Sequence, residues 1–91
     1  MYILVTYIPP SHLEVVKAAL FSAGAGKIGA YDQCCFQILG EGQFRPLEGS
    51  TPYIGTRDEL ARGAEWRLEL AVEDSVVNAV ITALLESHPY E

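Results

Sequence analysis

The segment Glu65-Trp66-Arg67-Leu68-Glu69-Leu70-Ala71-Val72 constrains this chain more than any other. Trp66, Leu68, Leu70 and Val72 alternate with Glu65, Arg67, Glu69 and Ala71, and a period of two puts the apolar set on one face of a strand. A strand with one dry face needs a second layer over that face. Two helical patterns can supply it. Leu13, Val16, Leu20 and Ala23 recur at helical spacing behind Ser11, which forms a capping-box pattern with Glu14; Gly24-Ala25-Gly26 then stops the helix. Val77, Val80, Ile81, Leu84 and Leu85 form a second stripe, with Asp74 or Ser75 as its cap and His88-Pro89 as its end.

Two more segments read as strands. Tyr2 to Ile8 is almost continuously apolar, and Pro9-Pro10 cuts it short. The stretch at about 31–39 alternates, with Cys34, Phe36 and Ile38 on one face and Gln33, Cys35 and Gln37 on the other. This phase predicts Cys34 in the core and an open sheet face carrying Gln33, Gln37, Arg67 and Glu69. The order β-α-β-β-α predicts an α+β, ferredoxin-like split βαβ sandwich, with both helices on one face of the sheet. That pattern normally closes with a fourth strand beside the first. The expectation here is that this final strand is missing after Glu91, leaving an apolar edge for a partner to cover.

Ninety-one residues suffice for a single domain, 1–91. A domain this small buries barely enough apolar surface to offset the entropy of ordering the chain, so self-association is expected. The net charge is −6, from 12 acidic and 6 basic residues, and the cations Lys17, Lys27, Arg45, Arg57, Arg62 and Arg67 are scattered. Nucleic acid and anionic membranes are therefore not expected partners. No apolar run is long enough to span a bilayer, and the N-terminus lacks the charged start of a signal peptide. Two cysteines make no disulfide framework, so a reducing cytoplasm is the expected location.

Several motifs are weaker than they look. Gly24-Ala25-Gly26-Lys27-Ile28-Gly29 matches G-x-G-x-x-G, but it follows a helix instead of opening one, which reverses the dipole that would hold a pyrophosphate. It reads as a connector. Cys34-Cys35 are neighbours on a predicted strand and point opposite ways, so they do not chelate one metal. The serines lack a nucleophile-elbow context, and no catalytic motif points to an enzyme.

Residues 40–64, rich in glycine and proline, form a loop too long for a plain hairpin. Tracing strand directions brings this loop, the front of the first helix and the chain's tail to one rim. A ligand site there would draw on Arg45, Glu48, Gly49, His12, His88 and Glu91. Arg45 is the expected anion or partner contact, or else ties the loop down by a salt bridge, while Glu48 and Gly49 shape the loop. No cofactor is required, although His12, His88 and Glu91 are the residue types that could hold a divalent metal. The plainer reading puts His88 at a helix C-terminus, where the dipole suits it, and His12 on an exposed first turn.

The loop sequence Gly40-Glu41-Gly42-Gln43-Phe44-Arg45-Pro46-Leu47-Glu48-Gly49, followed by Pro52-Tyr53-Ile54-Gly55, resembles the hallmark of the YqfO family. The likeness extends to Gly24-Ala25-Gly26, Gly29, Tyr31, Cys34, Phe36, Glu65-Trp66-Arg67 and His88-Pro89-Tyr90-Glu91. Such proteins are similar to the inserted middle domain of NIF-three-like proteins, some labelled GTP cyclohydrolase type 2 homologues. The resemblance implies a CutA- and PII-like fold, commonly trimeric, with the long loop as the ligand-contacting segment. The acidic, motif-poor chain and its long glycine-rich loop make a small, non-enzymatic, oligomeric binding or regulatory module the leading expectation, its small-molecule or protein ligand undefined. A divalent-metal protein and an enzyme subunit are the alternative readings. The His-rich motifs of the dinuclear metal site in full-length relatives are absent, so the cyclohydrolase label is not carried over.

Overall fold

The computed structural model describes residues 1–90. β1 (Tyr2–Ile8) leads through a 3-10 turn at Pro10–His12 into α1 (Leu13–Ser22). β2 (Phe36–Phe44) and β3 (Ala61–Val72) follow, and a 3-10 turn at Asp74–Val76 leads into α2 (Val77–Ser87). The sheet order is β1-β3-β2, and both pairings are antiparallel. This is the ferredoxin-like β-α-β-β-α arrangement, and β1 is an edge strand.

The alternation in β3 decides which side is dry. Leu68, Leu70 and Val72 are buried together with Ile8 of β1, Leu13, Val16 and Leu20 of α1, and Val80 of α2. Both helices therefore cover one face of the sheet. Register carries the same division into β1, where Leu4 and Thr6 stand opposite Leu70 and Leu68.

The second strand differs from its prediction in place and in phase. Residues 31–35 are not strand. Ile28 and Tyr31 pair across a tight turn, and Gln33 takes a left-handed φ of 54°. Gly26 anchors this segment, donating its N–H to the Ala71 carbonyl (2.8 Å) and accepting the Cys34 N–H (2.9 Å). Its φ is +82°, and a Cβ there would lie 2.8 Å from the Cys34 carbonyl oxygen, so the connector requires glycine at this point. The strand starts only at Phe36 and runs through Gly40 and Gly42, where pairing with β3 outweighs the weak strand propensity of glycine.

The faces of β2 are thereby inverted. Gln37 lies opposite Leu68 on the helix side and accepts a hydrogen bond from Lys17 Nζ at 3.0 Å, so Lys17 is half-buried and does not point into water. Phe36 and Ile38 face the open side with Glu69 and Arg67. Cys34 is half-exposed at the rim of that side, not in the core, and Cys35 is exposed beside it. The open face is thus more apolar than expected. Ile3, Val5, Tyr7, Phe36 and Ile38 are all exposed there, crossed by an Arg67–Glu69 ion pair at 3.1 Å.

Both expected helix caps are corrected as well. Prolines at 9 and 10 open a 3-10 turn, in which His12 N–H bonds the Pro9 carbonyl, so the cap of α1 moves from Ser11 to His12 and the helix begins one residue late. Ser11 Oγ instead meets His12 Nδ1 at 2.8 Å, and Glu14 pairs with Lys17 at 3.5 Å. Asp74 and Ser75 likewise lie in a 3-10 turn, and Val76 starts α2 without a side-chain cap. In α2 the packed stripe is Val77, Val80 and Leu84, whereas Ile81 and Leu85 are exposed.

β1 ends opposite Trp66, so 40–44 of β2 and 61–65 of β3 continue as a two-stranded arm. The molecule measures 47 × 24 × 19 Å with a radius of gyration of 14.4 Å, against about 12 Å for a compact chain of this length. Its accessible surface of 6006 Å² exceeds the roughly 5,200 Å² of a compact monomer of this mass.

Candidate functional site

With β2 extended to Phe44, the loop shrinks to residues 45–60. It folds on itself through two local devices. Ser50 closes a turn onto the Leu47 carbonyl, by N–H at 3.1 Å and by Oγ at 2.7 Å, and Gly49 sits within that turn at φ +91°. Positive φ at the third turn position is glycine's role, so Gly49, preceded by Glu48, sets this turn. Asp58 N–H then bonds the Pro46 carbonyl at 2.6 Å and draws the two ends of the loop together.

The rim predicted from strand direction is present. The ring of Tyr53 in the loop meets His12 edge-on, with centroids 5.4 Å apart and planes at 84°. Tyr53 and Tyr90 line one cavity of ≈ 360 Å³ with Phe44, Arg45, Pro46, Leu47, Ser50, Pro52 and Ile54. His88 packs against Tyr90 at 4.8 Å between ring centroids. The front of α1 thus meets the loop through His12 and Tyr53, and the loop and the tail share one cavity through Tyr53 and Tyr90.

Among the predicted site residues, Arg45 lines the cavity. It is its only charged lining residue and makes no ion pair among the described residues. Glu48 and Gly49 lie in the turn beside it and do not line it. Glu91 lies outside the described residues. His12 does not line the cavity but meets the ring of Tyr53, which does. The aromatic lining of Phe44, Tyr53 and Tyr90 was not picked out as a site by sequence reasoning. Its signal was available: three rings in or beside segments otherwise dominated by glycine, proline and polar residues.

His88 has a structural task. Its Nε2 donates to the backbone carbonyl of Tyr7 in β1 at 2.5 Å, and its Nδ1 accepts the Tyr90 N–H at 3.2 Å. A neutral imidazole makes one bond of each kind, which fixes the tautomer and leaves no lone pair for a metal. Among the described residues no group of three His, Cys, Asp or Glu side chains is placed to hold a metal ion. Both ring nitrogens of His88 are thus engaged by backbone groups, while Glu91, the third member of the expected metal set, lies outside the described residues.

The Tyr90 phenol is held above its ordinary value of 10.0, first by burial and then by the nearby negative charge of Glu65, with a smaller contribution from Tyr53. A raised folded value means that the unfolded chain gives up this proton first. Its stabilising contribution is therefore complete below pH 10 and is lost as the pH rises through the folded value. Ultraviolet titration is expected to show one late tyrosine, absent in Tyr90→Phe.

No family model matches the chain. What its geometry defines is an α+β domain of ferredoxin-like order with a loop-and-tail cavity at one rim. Over nearly its full length it is homologous to a segment of YqfO/NIF3-type proteins. It is 49% identical over 88 residues to the GTP cyclohydrolase 1 type 2 homolog of Bacillus subtilis, covering 97% of this chain and 24% of that protein. It is 42% identical to the namesake from Halalkalibacterium halodurans, over 100% of this chain and 24% of the relative. A solved structure, a Bacillus cereus protein related to NIF3, matches with a TM-score of 0.82 at 39% identity, over 98% of this chain and 22% of that one. The chain thus spans about a quarter of the length of the curated relatives it matches. Among the described residues no helix is long and apolar enough to cross a membrane.

Proposed function

We propose that this chain is a non-enzymatic, oligomeric binding or regulatory module of the YqfO type, whose ligand enters the cavity between the loop and the tail. The observation that carries this reading is a concave, mostly apolar site of ≈ 360 Å³ whose one cation, Arg45, has no ionic partner among the described residues. Small-molecule sites combine such apolar walls with a few polar groups that fix orientation. Binding is favoured over catalysis because the described lining offers Arg45, Ser50 and two phenols, with no carboxylate or imidazole to move a proton. Assembly as a homo-oligomer, trimeric as the likeness to CutA- and PII-type folds implies, is supported by the exposed apolar sheet face and the large surface for this mass. The free cysteines suit a reducing cytoplasm.

Nuclear magnetic resonance screening of a chemically mixed fragment library tests the binding role. Hits are expected to shift the Tyr53 and Tyr90 signals and to lose at least about tenfold in affinity in Tyr90→Ala, which removes one aromatic wall. A library with no hits, or hits indifferent to the substitution, overturns this reading.

A further inference from the structure

We infer that the cavity selects a small organic anion of single charge with a planar apolar body, its acidic group on Arg45 and its rings against Phe44, Tyr53 and Tyr90. This deepens the binding-module reading and rests on it. Four observations converge. First, the cavity wall is overwhelmingly apolar, so most of an occupant must be apolar to gain from leaving water. Second, three of the lining side chains are aromatic, and flat rings pack against them at offset or edge-on angles that aliphatic groups do not use.

Third, Arg45 is the single cation among the residues that line the cavity, and a planar guanidinium matches a carboxylate or sulfonate in a two-pronged hydrogen bond. Arg45 is exposed, and the residues beside it, Phe44 and Pro46, leave it no carboxylate neighbour in sequence. One cation offsets one negative charge. The rest of the molecule adds repulsion, since the chain as a whole carries −6. A nucleoside triphosphate would bring several negative charges to a site with one compensating group, and its polyphosphate would press against apolar walls. Fourth, ≈ 360 Å³ is near the lower end of the range of about 300–1,000 Å³ for small-molecule sites, which suits one or two rings.

The test pairs acids with their neutral amides. Naphthalene-2-carboxylate and indole-3-acetate are titrated into the wild-type chain by calorimetry, alongside naphthalene-2-carboxamide, indole-3-acetamide and GTP with Mg²⁺. The expected result is that each acid binds at least about tenfold more tightly than its amide, as a charge-assisted hydrogen bond requires. In Arg45→Ala that preference should vanish, while Arg45→Lys should retain part of it. Arg45 is exposed, so neither substitution threatens folding, and circular dichroism checks this. Equal binding of acid and amide, or an Arg45-dependent preference for GTP over both acids, overturns the single-charge assignment and leaves the binding role intact. Absence of binding by all five probes overturns it too, and the fragment screen then decides whether the cavity binds anything.

Discussion

Ile38→Glu is expected to convert the proposed oligomer into a 10.0 kDa monomer, read by light scattering. Ile38 lies on the open face of the sheet, half-exposed at 51%, with Ile3 at 64% and Phe36 at 59% around it. Tyr7 and Val5 extend this surface across β3 to the edge strand. Apolar residues gathered on one face gain when a second copy excludes water from them. A carboxylate placed among them must be dehydrated without a partner, at a cost of several kcal/mol per copy, enough to dissociate a standard interface. Glu69 already pairs with Arg67 at 3.1 Å, so that guanidinium is not free to receive the new charge. Circular dichroism of the variant should match wild type, because position 38 takes no part in the core. Wild type running as a monomer at micromolar concentration, or an Ile38→Glu variant that stays assembled, rules out this face as the interface.

Leu68→Ala should behave in the opposite manner, weakening the fold itself. Leu68 is fully buried at the centre of β3, the middle strand, and belongs to the cluster that joins both helices to the sheet. Removing its isopropyl end leaves a cavity among residues of β1, β3, α1 and α2, which have little freedom to collapse. A loss of about 3 kcal/mol in unfolding free energy is expected from urea titration. For a small domain that is a large share of the total. Ile38→Ala, a change of similar size on the other side of the same sheet, should alter the monomer by less than about 0.5 kcal/mol. Equal losses at the two positions would mean that the sheet faces have been assigned the wrong way round.

The two faces were legible in β3 and illegible in β2, and the reason is physical. Alternation over Glu65 to Val72 is strict, and the segment is paired on both sides, so no slip can satisfy both its polar and its apolar residues. In 31–39 the same kind of alternation was present in the letters, but a connector bond decided the start of the strand. The carbonyl of Gly26 holds Cys34 N–H, and Gln33 turns left-handed just before it. A single residue of offset then moved Phe36 and Ile38 to the open side. Local propensity also misjudged the end of β2, because Gly40 and Gly42 belong to a strand only through their pairing with 63–65.

At the rim, strand direction alone sufficed to bring His12, the loop and the tail together. Individual roles depended on contacts that direction does not specify. His88 was read as a ligand-type residue, and its ring nitrogens instead bridge two backbone groups. Ser11 carried a capping pattern, and two preceding prolines displaced the helix start. Arg45, the expected anion or partner contact, does line the cavity.

The bridge made by His88 has a consequence for communication across the molecule. It ties the carbonyl of Tyr7, in a strand with an open side, to the amide of Tyr90, whose ring forms a wall of the cavity. Any segment that displaced the imidazole from Tyr7 would also loosen that wall. Edge pairing and pocket filling would then be linked, each changing the other's affinity by the same factor.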